Sequence, residues 1–305
     1  MSTEEQNSGT GVRLVAGDAE LTVHPENGCR IGSLRIGGTE VLRQGEHYGS
    51  FPMVPWCGRM ENGQFRTGGV CHQLPLNAAP HAIHGTARDA AWRTALPRAL
   101  GSSPKLSAPP PSSRLRSSGG HTHEQGGPAC AGGETEAVFT HDLADPWPYT
   151  GRVTQIFELE PDRLTIRLGI ETYDDSFPAQ AGWHPWFLRN LGAGGEDVRL
   201  DFAPTWQEER GADHLPTGRR IQPGPGPWDD CFGMEDGVDV TLTWPGQLEL
   251  KVTAGTEWVV IYDEQPEAVC VEPQSGPPNG INTLPRLVTP IDPLELATTW
   301  SWRRL

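Results

Sequence analysis

Residues 152–170 read RVTQIFELEPDRLTIRLGI, and this stretch decides the fold class. Leu164, Ile166, Leu168 and Ile170 alternate with Thr165, Arg167 and Gly169. That is the period of two expected where successive side chains point to opposite faces of a strand. The partner run, Arg152–Leu159, is separated from it by Glu160–Pro161–Asp162, a turn-forming triplet. The unit therefore reads as an antiparallel hairpin with one buried face. The same alternation recurs in Val238, Val240, Leu242 and Trp244, in Leu248, Leu250 and Val252, and in Leu294, Leu296, Thr298, Trp300 and Trp302. Upstream, Ala19–Val23, Ile31–Ile36 and Thr39–Leu42, punctuated by Asn27–Gly28 and Gly37–Gly38, form a meander. No long stretch has helical periodicity, so the expected class is all-β. The final strand carries core residues, and its loss should damage the core.

Composition agrees. The 305 residues include Gly 37 and Pro 29, a turn-rich balance suited to many short strands, with 36% hydrophobic and 21% charged residues for a lean core. One β unit over residues 11–305 is expected, with residues 1–10 a polar disordered tail and the Pro/Ser/Gly-rich stretch 97–133 a flexible surface insertion. A net charge of −15 argues against a general binder of the nucleic-acid backbone. No apolar run approaches the roughly 18 residues of a membrane span, and no apolar leader segment is visible, so a cytoplasmic location is expected. The six cysteines show no CxxC pair and read as buried free thiols.

Two separated stretches carry the candidate chemistry. In AGWHPWFLR (181–189), His184 stands among Trp183, Pro185, Trp186 and Phe187, stiff neighbours that hold it in place. In AVCVEPQSGPPNG (268–280), Glu272 closes an apolar run immediately before a proline and a turn. The pair suggests an acid and a base that reach one pocket from two sides. Arg59 lies among Trp56, Met60 and Phe65 in a segment, 51–65, that glycines and prolines keep irregular; it is either structurally paired or a fork for a ligand hydroxyl or carboxylate. His81, His84, Arg88 and Asp89 share a loop-like stretch, with no third metal ligand marked beside the two histidines, so no metal site is expected. His121 and His123 read as solvated loop residues. Asp229 and Asp230 are adjacent, so in a strand only one enters a given pocket; both can equally be turn formers. Trp147, Trp183, Trp186, Trp206 and Trp228 are either core or aromatic faces for a sugar ring.

Taken in order, PWCGRMENGQF (55–65), HAIHG (81–85), AGWHPWF (181–187), WDDCF (228–232) and VCVEPQSGPPN (269–279) resemble the aldose 1-epimerase (galactose mutarotase) family over nearly the whole chain. The resemblance implies a large antiparallel β-sandwich, a sugar cleft on one face and cofactor-free interconversion of aldose anomers. It implies His184 as general acid, Glu272 as general base and Arg59, His84 and Asp229 as substrate ligands; beside them the aromatic face of Trp186 is expected to meet the sugar. Several family members have Asn where this chain has Gly58, which bears on sugar preference, and the 97–133 excursion has no counterpart. A related reading is a hexose-6-phosphate 1-epimerase. HGTAR (84–88) followed by Trp92 resembles the segment in which the arginine contacts phosphate, making Arg88 a phosphate ligand. A non-catalytic carbohydrate-binding protein and a glycosidase using Asp229 and Glu272 are the other readings. The expected partner is a small monosaccharide, not nucleic acid or a membrane, and the chain a monomer or homodimer.

Overall fold

The computed structural model describes residues 11–95 and 133–305. The 1–10 tail, His121 and His123, Cys130 and all but the last residue of the expected 97–133 insertion lie outside them. Two large antiparallel sheets dominate, one of eleven strands and one of eight, and an apolar core between them draws on both. Among the described residues the helical elements are two single 3₁₀ turns and the four-residue Gly280–Thr283 helix. No helix is long and apolar enough to cross a membrane.

The hairpin at 152–170 forms as read. Strands Gly151–Glu160 and Arg163–Thr172 pair in register, and Leu164, Ile166, Leu168 and Ile170 are all buried. The C-terminal strand Leu294–Arg304 lies between Arg163–Thr172 and Leu248–Ala254 in the middle of the eight-stranded sheet. The N-terminal meander is likewise antiparallel, with one more strand, Val12–Ala16, ahead of Ala19–His24.

The irregular reading of 51–65 is corrected. Ser50–Met53 is a fully buried strand in the larger sheet despite Pro52, and Arg59–Met60 and Gln64–Thr67 pair with short partners. Proline removes one ladder donor but leaves the extended φ available, which a four-residue strand tolerates. The cysteine reading also needs correction at one position: Cys29, Cys57, Cys231 and Cys270 are buried, but Cys71, in a small surface hairpin, is exposed.

The site depends on the centre of the larger sheet, where Ser50–Met53, Gly182–Leu188, Ala268–Gln274, Trp258–Tyr262, Asp229–Gly233 and Trp206–Arg210 are successive neighbours. Alternation along Gly182–Leu188 sorts the WHPWF sequence into two faces. Trp183 and Phe187 point into the core: the Trp183 indole N–H donates to the Gln155 side-chain oxygen of the opposing sheet at 3.0 Å, and Phe187 packs edge-on against Trp300 at 5.1 Å. His184 and Trp186 therefore project from the other face.

Candidate active site

The strand registers assemble the outer face row by row. His184 pairs with Phe51 on one side. On the other, Gly182 pairs with Gln274 and Trp186 with Cys270, a register that sets His184 opposite Glu272. Glu272 pairs with Val260 and Val260 with Cys231; in the next row Cys270 pairs with Tyr262 and Tyr262 with Asp229. Residues distant in sequence thus become neighbours on one floor because each occupies the same pleat phase.

An open cleft of about 320 Å³ lies over this floor. Its residues include His184, Glu272, Arg59, His84, Asp229 and Tyr262. His184 Nε2 lies 3.1 Å from Glu272 Oε1, both side chains nearly inaccessible at 7% and 4%. The imidazole is clamped between two rings, Phe51 at 4.9 Å and 28° and Trp186 at 5.0 Å and 12°. Behind Phe51 stand two guanidinium groups, Arg30 at 4.6 Å from the ring centroid and Arg88 at 5.5 Å. The stack fixes the plane of the ring and aims Nε2 at the carboxyl group.

Burial disfavours charge on both members of this pair. It lowers His184 from the ordinary imidazole value to about 3, with Arg88 and Arg30 pressing in the same direction. It raises Glu272 well above the ordinary carboxylate range, reinforced by Asp229 and opposed by Arg59. The stable form is a neutral imidazole beside a protonated carboxyl group, one mobile proton shared across 3.1 Å.

The loops over the floor are tied to it by backbone. The Asn279 N–H donates to the Arg59 carbonyl at 2.7 Å and the Asn279 side-chain oxygen accepts from Glu61 N–H at 3.1 Å, so the segment after Glu272 braces the segment carrying Arg59. Arg59 makes no ion pair among the described residues, and its guanidinium is available to a ligand. Gly58 has φ of +61°, and a Cβ there would lie 2.8 Å from Pro278. Asparagine can adopt that φ, but Pro278 occupies the space its side chain would need. His84, itself at φ of +63°, sits edge-on to His184 at 5.0 Å, with burial holding it well below the usual imidazole range and the charges of His184, Arg88 and Arg59 adding to the effect.

Four sequence expectations change. Asp229 and Asp230 both line the cleft, and Arg210 reaches each of them, at 2.7 Å and 3.4 Å. None of the five singled-out tryptophans lines the cleft: Trp147, Trp183 and Trp206 are buried, Trp228 packs against the core, and Trp186 stacks on His184. Arg88 does not line it either, being bonded to Asp89 at 3.1 Å and lying behind Phe51. Finally, His184 and Glu272 do not face each other from two sides; they stand side by side on adjacent strands. Missed from the sequence were Glu208, Arg210, His214, Tyr262 and Glu264. The WQEER run at 206–210 gave no alternation to read, since four of its five residues are polar and hid a strand.

The family model for aldose 1-epimerases matches residues 12–100. No curated protein sequence matches the chain. Among solved structures, the galactose 1-epimerase of Lactobacillus acidophilus NCFM is 15% identical with a TM-score of 0.71, covering 100% of this chain and 98% of that one. A galactose mutarotase-like protein of Lactobacillus casei ATCC 334 is also 15% identical, TM-score 0.71, covering 96% and 100%. An aldose epimerase homologue from C. elegans is 13% identical, TM-score 0.72, covering 97% and 99%. The fold is therefore that of these mutarotase-like proteins across the chain, and residues 12–100 are similar to the aldose 1-epimerase family.

Proposed function

We propose that the protein interconverts the α and β anomers of a free aldohexose by general acid and base catalysis, with His184 and Glu272 as the reacting pair. The single observation that carries this reading is their 3.1 Å contact on the floor of the cleft. The two oxygens that exchange protons in ring opening, the ring oxygen and the anomeric hydroxyl, are bonded to the same carbon and so lie side by side. An adjacent donor and acceptor match that spacing better than groups on opposite walls. A bound hemiacetal replaces the His184–Glu272 hydrogen bond: the shared proton passes from Glu272 to His184, the carboxylate so formed takes the anomeric proton, the imidazolium delivers its own to the ring oxygen, and the C1–O5 bond breaks to give the aldehyde. Rotation about C1–C2 and reclosure with the roles reversed yields the other anomer. Arg59 and His84 support the ring and its hydroxyls, and Asp229, oriented by Arg210, accepts from a hydroxyl.

The shared proton predicts an unusual pH dependence. The pair works with one proton between its members. That proton is lost as pH rises through the elevated value of Glu272, and a second is gained only as pH falls toward the depressed value of His184, about 3. After subtraction of the uncatalysed rate, kcat/KM should hold steady from about pH 7 down to about pH 5, where an ordinary histidine would titrate. Polarimetry of glucose anomer exchange tests it; a protonation limb near pH 6.5 would exclude the neutral pair.

The cleft also favours an unphosphorylated substrate. Glu208, Asp229, Asp230 and Glu264 line it against two guanidinium groups, Arg59 and Arg210, and Arg210 is engaged by Asp229, Asp230 and Glu264. A phosphate dianion meets net repulsion there. Glucose should exchange at least about tenfold faster than glucose 6-phosphate. Arg88→Ala should not alter the ratio; a selective loss on the phosphorylated sugar would restore the phosphate role for Arg88.

A further inference from the structure

On the strand that carries Glu272, buried and outside the lining of the cleft, a third side chain stands beside the reacting pair. Cys270 precedes Glu272 by two residues on the same strand, so its thiol projects from the same face, and its cross-strand neighbours are Trp186 and Tyr262. The ligand atoms of His184, Cys270 and Glu272 all lie within 4.8 Å of one another, and all three residues are buried. We propose that these residues form a binding site for a soft divalent metal ion such as Zn²⁺ or Cd²⁺, and that its occupation switches the sugar chemistry off. The inhibitory part rests on the reading of His184 and Glu272 as the reacting pair; the site itself does not.

The donor set suits such an ion. Thiolate, imidazole nitrogen and carboxylate oxygen are the ligands zinc takes, at about 2.0–2.3 Å, and three protein ligands leave the fourth tetrahedral position for a water or ligand on the cleft side. In a tetrahedron of those bond lengths the donors lie roughly 3.3–3.8 Å apart. The His184–Glu272 distance is already 3.1 Å, so the remaining adjustment falls mainly on the thiol. Charge also balances. Without metal, burial keeps all three groups neutral, Cys270 with its thiol pushed well above the usual range, reinforced by Glu272. With metal, the Cys270 thiol and the Glu272 carboxyl each release a proton to solvent, and a thiolate, a carboxylate, a neutral imidazole and a dication sum to zero. A buried site thereby acquires no net charge, which a lone anion or cation there would violate. The ion takes the His184 lone pair and the Glu272 carboxylate, the two groups that exchange protons with the sugar, so metal and turnover exclude each other. Cys57 and Cys231 also lie in this neighbourhood, as shown by the mutual charge effects with Glu272. Neither belongs to the cluster of three.

The test uses the full chain freed of metal with EDTA and titrated with Cd²⁺, whose bond to a thiolate gives a near-ultraviolet charge-transfer absorption. We expect a saturable band at one equivalent, its loss in both Cys270→Ser and Cys270→Ala, and its reversal by EDTA. In parallel, Zn²⁺ should inhibit anomer exchange in the wild-type chain, and either Cys270 variant should retain the exchange rate while its Zn²⁺ sensitivity falls by at least about tenfold. Absence of the band, or a band of the same size in both Cys270 variants, would overturn the site. Equal Zn²⁺ inhibition of wild type and variants would overturn the switch. A Cys270-dependent band in a chain that exchanges no sugar would leave the site standing and refute the catalytic reading instead.

Discussion

Glu272→Gln and His184→Ala should each lower kcat for aldose anomer exchange by at least about a hundredfold, with KM changed little. A positioned proton-transfer group contributes typically about 10²–10⁴-fold, or roughly 3–5 kcal/mol of barrier, and each variant deletes one such group at the reacting atoms. Glutamine retains the size and one hydrogen bond of Glu272 but accepts no proton, so the loss isolates chemistry from packing. Because the native pair is neutral, neither substitution strands a buried charge, and the fold should survive, as circular dichroism would show. The double variant should lose hardly more than either single one, since one proton serves both residues and neither acts without the other. Polarimetry on freshly dissolved α-glucose or α-galactose at several enzyme concentrations measures all three. A rate near wild type in either single variant removes that residue from the mechanism, and losses that simply multiply in the double variant contradict the shared proton.

The parts of this molecule that were legible in the sequence are those where one physical requirement acts alone. Leu164 to Ile170 and Leu294 to Trp302 alternate because one face is buried and the other is not, and both strands form as read. His184 and Glu272 were legible because stiff or apolar neighbours surround each, an expensive setting for a titratable group unless it is held for a purpose. Tryptophan carried no such information: the same ring suits a core, a sugar face or a support for an imidazole, and only the register of Gly182–Leu188 shows that Trp183 takes the first role and Trp186 the third. Arg88 was misread because its destination depends on a 3₁₀ turn at Ala87–Asp89 that turns it toward Phe51, a choice made by tertiary packing. Arg210 and Glu208 escaped because a polar strand over a cleft looks, in one dimension, like a loop. Asp229 and Asp230 were not separable by alternation alone, because both border the cleft and a single guanidinium, that of Arg210, reaches both.

Deleting residues 294–305 should abolish folding altogether, the largest stability effect expected of any change outside the cleft. The strand they form is no trailing edge: it pairs with Arg163–Thr172 on one side and Leu248–Ala254 on the other, so its removal cuts the eight-stranded sheet in two and exposes two new edges. Leu294, Leu296, Trp300 and Trp302 are buried with it, Trp300 completely. At about 1.5–3 kcal/mol for each large apolar side chain, these four alone account for roughly 6–12 kcal/mol. A whole domain is typically stable by only about 5–15 kcal/mol, so nothing is left to hold the remaining strands. The milder Trp300→Ala should cost about 3–5 kcal/mol, since the cavity it leaves lies between the sheets against Phe187, on the strand that carries His184. Urea denaturation followed by circular dichroism gives both results. A truncated chain that is soluble and unfolds cooperatively at the wild-type midpoint would show that the C-terminal strand is dispensable, and with it the continuous core that positions the cleft floor.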